Sequence, residues 1–223
     1  MVFDNLLKLP IIYMPGPLGR KLRYLYYKNR LKKCGRNVII DEGVIIGNPK
    51  WISIDDNVWI GRYTTIEVGI ISFSPKKDII KRKINPDIRV NEGELTIGMG
   101  CHIGAYNIIQ AHGGIKIGKN VTTSAFVKIH SLSNIPGNPE DPKQITYANC
   151  MVGEGKKVAY IIGPIEIEDG VWIGLDCVIL SGIKVGKYCF VKSKSLVLSD
   201  IEENSVVGGN PANFIRKRFE NYG

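Results

Sequence analysis

Aliphatic residues recur every six positions along most of this 223-residue chain. From Ile167 the beat runs Ile167, Ile173, Ile179, Val185, Val191, Val197. It is present earlier as Ile54, Ile60, Ile66, then Ile97, Ile103, Ile109, then Ile117, Thr123, Ile129. Glycine directly follows Ile60, Ile97, Ile103, Ile117, Ile173 and Val185, and a small or medium residue sits four positions after each anchor, Thr64, Cys101, Asn107, Cys177, Cys189 and Ser195 among them. A period of six is neither that of a helix nor that of a simple strand. It fits a three-sided coil in which each side is a short strand and a tight turn, and successive circuits stack as parallel strands about 4.8 Å apart. Only the stack takes the anchors out of water, which stabilises by roughly 1.5–3 kcal/mol for each side chain. Glycine after the anchor suits unusual backbone angles or a close approach.

The beat is broken in four places. Ile46 to Ile54 is two residues too long, Ile70–Leu95 is a long insertion, His112-Gly113-Gly114 holds two extra residues, and Leu132–Pro164 is the longest excursion. Each break follows the third side of a circuit, so all irregularity falls on one corner. Long loops in a compact domain usually carry function. The chain therefore reads as all-β, with an amphipathic arm at 1–36, a β-helix over 37–199 bearing loops 70–95 and 132–164, and a C-terminal extension with a short helix at 200–223.

Composition excludes several classes. The net charge of +9 is local, because residues 1–36 hold nine Lys/Arg against Asp4 alone, leaving +1 for the rest. A nucleic-acid binder would spread basic side chains over its folded body or carry a recognisable module, so nucleic acid is not an expected partner. The arm, with Leu18, Leu22, Leu25, Tyr26, Tyr27 and Leu31, reads as an amphipathic helix that packs on the body, contacts an anionic membrane surface, or does both. The stretch Leu6 to Leu18 is broken by Pro10, Pro15 and Pro17 and makes a poor signal peptide, and five cysteines without a CxxC pair favour neither a disulfide framework nor a zinc knuckle. The expected compartment is the cytoplasm, at the inner face of the membrane if the arm binds there. Cys101, Cys177 and Cys189 are expected to fill inward slots as small hydrophobes.

His130 directly follows the anchor Ile129 at the base of the longest excursion. Its ordinary pKa lets it act as a base near neutrality. By register its neighbour one circuit back is Gln110, with His112 along the same edge. Glu140, Asp141 and Glu154 are candidates for orienting the ring.

The stretch Val171–Arg218 resembles the C-terminal signature of the hexapeptide-repeat acetyltransferases, which include the maltose and galactoside sugar O-acetyltransferases. Its landmarks are Val171-Trp172-Ile173-Gly174, Ser181-Gly182-Ile183, and Val206 through Gly209-Asn210-Pro211-Ala212. The N-terminal arm is similar to arms on members that modify bacterial surface polysaccharides. The resemblance implies left-handed winding, acetyl-CoA as donor, no metal, a homotrimer with sites between adjacent prisms, and a sugar or glycan acceptor. His130 matches the general base and Asn107 plausibly an acceptor-orienting asparagine, although an inward stacked slot fits Asn107 equally well. Trp172 matches the tryptophan beside donor and acceptor, while Gly174 and Ser193 fall where the pantetheine arm passes. Lys194 and the run Arg216, Lys217 and Arg218 offer cations for the CoA phosphates. Lys192 and Lys194 stand where the family has small residues, so they either face those phosphates or narrow the groove.

Three rival readings share the prism. Carbonic-anhydrase-like members bind metal through three histidines, but the spacing of His102, His112 and His130 does not match. N-acetylation of an amino sugar nucleotide often comes with a separate nucleotide-binding domain, of which no motif is visible. Acetylation of an antibiotic gives no reason for the basic arm. A β-helical scaffold without activity is the non-enzyme alternative.

Overall fold

A computed structural model describes residues 9–71, 78–82, 85–138, 141–146 and 158–219. The chain winds as a three-sided prism whose sides are parallel sheets of short strands. The first face stacks Lys33–Cys34, Ile52–Ile54, Leu95–Ile97, Ile115–Ile117, Ile165–Ile167 and Lys184–Val185. The second stacks Ile39–Ile40, Trp59–Ile60, His102–Ile103, Thr122–Thr123, Trp172–Ile173, Phe190–Val191 and Ser205–Gly209. The third stacks Ile45–Ile46, Thr65–Glu67, Ile108–Gln110, Lys128–His130, Val178–Ile179 and Leu196–Val197.

Anchors register one above another, Ile66 beside Ile109, Ile109 beside Ile129, and Ile129 beside Ile179. All are essentially unexposed, as are Cys101, Cys177 and Cys189 in the four-later slots. Burial pushes the Cys101 thiol up to about 11 and raises Cys177 and Cys189 as well, which leaves these thiols unreactive near neutrality. The glycine after an anchor is required for close approach. A Cβ on Gly104 would lie 2.4 Å from the Ser124 carbonyl oxygen, and one on Gly61 would lie 2.7 Å from the Ala105 nitrogen. Left-handed backbone instead falls two residues later, at Tyr63, Tyr106, Phe126, Asp176, Tyr188 and Lys194. The first three rings stack along one corner, with centroids 5.3 and 5.1 Å apart.

All four interruptions leave after a third-face strand, on one corner, as the spacing requires. Parts of two excursions join there. Leu132–Ile135 runs antiparallel to Val158–Ile162, which pairs in parallel with Asp78–Arg82 from the earlier insertion.

The ends differ from expectation. The prism starts at Lys33, inside the arm, and continues beyond 199, since Ile201 bridges Val185 and Ser205–Gly209 extends the second face. No helix forms in the described part of the C-terminal extension. Ala212–Lys217 is a strand that turns back antiparallel on Ser205–Gly209. The last circuit otherwise presents an open row of backbone donors and acceptors, and the returning strand satisfies it. At the N-terminal end, the helix Gly16–Lys28 lays Gly19, Arg23 and Tyr27 against the prism. Packing of the arm on the body takes one of its charges out of water, since Arg23 is unexposed and donates from Nε to the Ile40 carbonyl and from Nη1 to the Met14 carbonyl, each at 2.7 Å.

Candidate active site

Gln110 and His130 are register partners on adjacent circuits, and Glu67 is the partner of Gln110 one circuit further. The three side chains form a column at the exit of the third face. His130 Nδ1 lies 3.2 Å from Gln110 Oε1. An amide oxygen only accepts, so Nδ1 carries the proton and Nε2 of the neutral ring holds a free lone pair. Burial lowers the His130 pKa below its ordinary value of 6.5, with Lys128 acting in the same direction and the Glu67 carboxylate opposing them. The ring is therefore mostly neutral at pH 7, half-buried, and held by one nitrogen. Among the described residues, Gln110 is the side chain hydrogen-bonded to this ring. Asp141 opens a strand of the hairpin formed with Gly137–Asn138, and Glu140 and Glu154 lie outside the described residues.

The segments beneath the excursions are knitted to one another. Ser131 is unexposed, and its hydroxyl donates to the Gln110 carbonyl at 2.7 Å while accepting from the Gly113 N–H at 2.8 Å. The Gly163 N–H donates to the Ser131 carbonyl at 3.0 Å, which closes the long excursion where it began. His112 Nδ1 lies 2.8 Å from the Gly69 carbonyl, and the Gly93 N–H donates to the His112 carbonyl at 3.0 Å. His112 thus fastens both ends of the 70–95 excursion beside the His130 column. Sequence reasoning missed Ser131 and Glu67. Each has a legible signal, adjacency to His130 for Ser131 and the eighteen-residue register through an insertion for Glu67.

Asn107 does not reach this site. Its side chain is 1% exposed in the inward column, donating from Nδ2 to Thr123 Oγ1 at 2.5 Å and accepting from the Val127 N–H at 2.7 Å. Contact with an acceptor is therefore corrected to a role in the core. The non-aliphatic anchor Thr123 has the same explanation, since it is the polar partner of Asn107 and also accepts from the Gly104 N–H.

The remaining candidates gather elsewhere on the chain. Trp172 is 48% exposed on the second face, between Thr122 and Phe190. Gly174, Ser193 and Lys194 lie at the corner leading from second face to third. A Cβ on Gly174 would fall 2.5 Å from the Ser193 nitrogen, and Ser193 Oγ accepts from the Leu175 N–H at 3.1 Å. Lys192 and Lys194 are exposed at that corner. The basic run is on the returning strand, where Arg216 is exposed and Lys217 is 3.7 Å from Glu202. Arg218 Nη1 lies within 3.1 Å of the Gly170, Tyr188 and Cys189 carbonyls, so this guanidinium ties together the corner leading from first face to second. One chain thus carries two separate groups, His130, Gln110 and His112 at one corner, and Trp172 to Lys194 around the second face. His102 packs against Trp59 on that second face with the rings tilted by 40°, apart from His112 and His130.

No family model matches the chain. It is 47% identical over 57 residues to a chloramphenicol acetyltransferase of Escherichia coli, covering 26% of this chain and 27% of that protein. It is 39% identical over 80 residues to a 2,3,4,5-tetrahydropyridine-2,6-dicarboxylate N-acetyltransferase of Staphylococcus aureus, covering 34% of each. Among solved structures, an acetyl-coenzyme A complex of a hexapeptide-repeat-containing acetyltransferase from Vibrio cholerae matches with TM-score 0.55 at 21% identity, over 97% of this chain and 85% of that one. The chain resembles the hexapeptide-repeat acetyltransferases. AntD, an N-acyltransferase from Bacillus cereus in complex with dTDP and 3-hydroxybutyryl-CoA, matches with TM-score 0.67 at 19% identity over 88% of each chain. These structures share the fold of this hexapeptide-repeat chain. It spans about a quarter to a third of the length of the curated relatives it matches.

Proposed function

We propose that the chain is an acetyl-CoA-dependent O-acetyltransferase built on a left-handed β-helix, acting on a sugar hydroxyl of a bacterial surface polysaccharide or its precursor. The observation that carries this reading is the state of His130. Burial favours its neutral ring, its Nδ1 is occupied by Gln110, and its Nε2 has no hydrogen-bond partner among the described residues at the edge where the excursions leave. Nε2 takes the proton of the acceptor hydroxyl as that oxygen attacks the thioester carbonyl. The C–O ester bond forms, the C–S bond breaks, and the imidazolium returns the proton to the departing CoA thiolate. Gln110 accepts from Nδ1–H throughout and fixes the ring plane. Direct transfer of this kind needs no acyl-enzyme, and the buried Cys101, Cys177 and Cys189 take no part in it.

The two separated groups of candidate residues suggest that a second copy completes the site, with Trp172, Gly174, Ser193, Lys194 and Arg216 of one protomer facing His130 of its neighbour in a homotrimer. Arg218 is tied to three carbonyls of its own chain and Lys217 to Glu202, while Arg216, exposed although its Nη1 donates to the Lys217 carbonyl at 2.8 Å, and the exposed Lys194 are the cations we assign to the CoA phosphates. The N-acetyltransferases among the relatives favour a second reading in which the acceptor is a nitrogen, as on an amino sugar, since the same base serves an amine. The test is His130→Ala with acetyl-CoA and a panel of sugars and amino sugars. We expect kcat to fall about 10²–10⁴-fold with acetyl-CoA binding retained. Retention of most of the turnover at saturating acceptor would remove His130 from the role, and the responsive sugars decide between oxygen and nitrogen.

A further inference from the structure

The helix Gly16–Lys28 is engaged on one side only. Gly19, Arg23 and Tyr27 are buried against the prism. On the other side Leu18 is 62% and Leu25 is 53% exposed, with Lys21 and Lys28 also exposed. At about 100° per residue these four positions share the arc opposite Arg23 and Tyr27. The helix contains no Asp or Glu.

Four other basic side chains of the arm pair with carboxylates of the prism. Arg20 pairs with Asp41 at 2.7 Å, Lys32 with Glu94 at 2.5 Å, Lys33 with Asp55 at 2.6 Å, and Arg36 with Asp56 at 2.9 Å. What the prism leaves facing outward is a stripe of leucine and lysine with no carboxylate in it. Just before the helix, Leu9 and Tyr13 are 57% and 52% exposed. Isolated apolar side chains between lysines complement a bilayer with anionic headgroups, where leucine enters the acyl boundary and lysine stays at the phosphates.

We propose that this outer stripe docks the protein on an anionic lipid surface, with Leu18 and Leu25 inserted and Lys21 and Lys28 at the headgroups. This surface goes beyond acyl transfer and stands whether or not that reading does. The test is sedimentation of the full chain with vesicles of phosphatidylcholine alone or with phosphatidylserine added. Binding is expected to the anionic vesicles only and to fall steeply with salt. One lysine near such a surface changes partitioning about fivefold. Lys21→Gln with Lys28→Gln should therefore weaken binding about thirtyfold, and Leu18→Ser with Leu25→Ser should abolish it, both with unchanged melting temperature. An unbound full chain, or variants that bind as well as the parent, would overturn the proposal. Variants that instead change the oligomeric state by sedimentation velocity would also overturn it, and would assign the stripe to a second copy.

Discussion

Replacing Asn107 by alanine separates a core residue from an acceptor-binding one. The side chain has no access to solvent, and both ends of its amide are used, toward Thr123 Oγ1 and the Val127 N–H. Truncation leaves the Val127 N–H without its partner where water does not reach, at about 1–3 kcal/mol, and removes a second bond of roughly 0.5–1.5 kcal/mol. The sum is about 2–4 kcal/mol. For a chain of this length each kcal/mol lowers Tm by about 2–4 °C, so a fall of roughly 5–15 °C is expected. Thermal denaturation measures this, and steady-state kinetics well below the transition measure the rest. There kcat should stay within about threefold of the parent, because no substrate touches the residue. An unchanged Tm with kcat lowered a hundredfold would refute the assignment and return Asn107 to the acceptor.

Glu67→Gln removes the carboxylate that holds the His130 pKa up against burial. The acid limb of the kcat/KM profile should therefore move to lower pH with the plateau preserved, and a limb that moves up or stays would exclude coupling through the column. Mixing His130→Ala with Trp172→Ala protomers and reassembling them should restore part of the activity that each lacks alone. Without such rescue, the two groups do not meet across protomers. Gly104→Ala places a methyl 2.4 Å from the Ser124 carbonyl, so a loss of about 1–3 kcal/mol by urea denaturation is expected, with unchanged stability contradicting the packing account.

The prism was legible because its signal is arithmetic. A chain that must bury one aliphatic residue per side repeats that residue at a fixed interval, and Ile66, Ile109 and Ile129 declare their register even across insertions. The Gln110–His130 contact followed from the same interval. The C-terminal strand was not legible, because Phe214, Ile215 and the basic run suit a short amphipathic helix locally. What decides their conformation is the open edge at Ser205–Gly209, a partner visible only once the coil is built. Arg23 escaped notice for a related reason. The carbonyls that hold it come from Ile11, Ile12, Met14 and Ile40, and sequence spacing carries no mark of their convergence. Asn107 and Thr123 each look anomalous alone, and their pairing across adjacent circuits becomes evident only when the two columns are laid side by side.

The shared corner also governs how this molecule tolerates change. An excursion that leaves and returns at one edge adds to the folding free energy mainly through the entropy of closing its ends, which rises by only about 0.6 kcal/mol when its length doubles. The rigid stack and the variable rim are thus nearly decoupled. Segments 70–95 and 132–164 could be lengthened beyond their shared sheet to suit a different acceptor at little thermodynamic penalty, provided that sheet and the clasp of Ser131, Gly113 and Gly163 beneath it are kept.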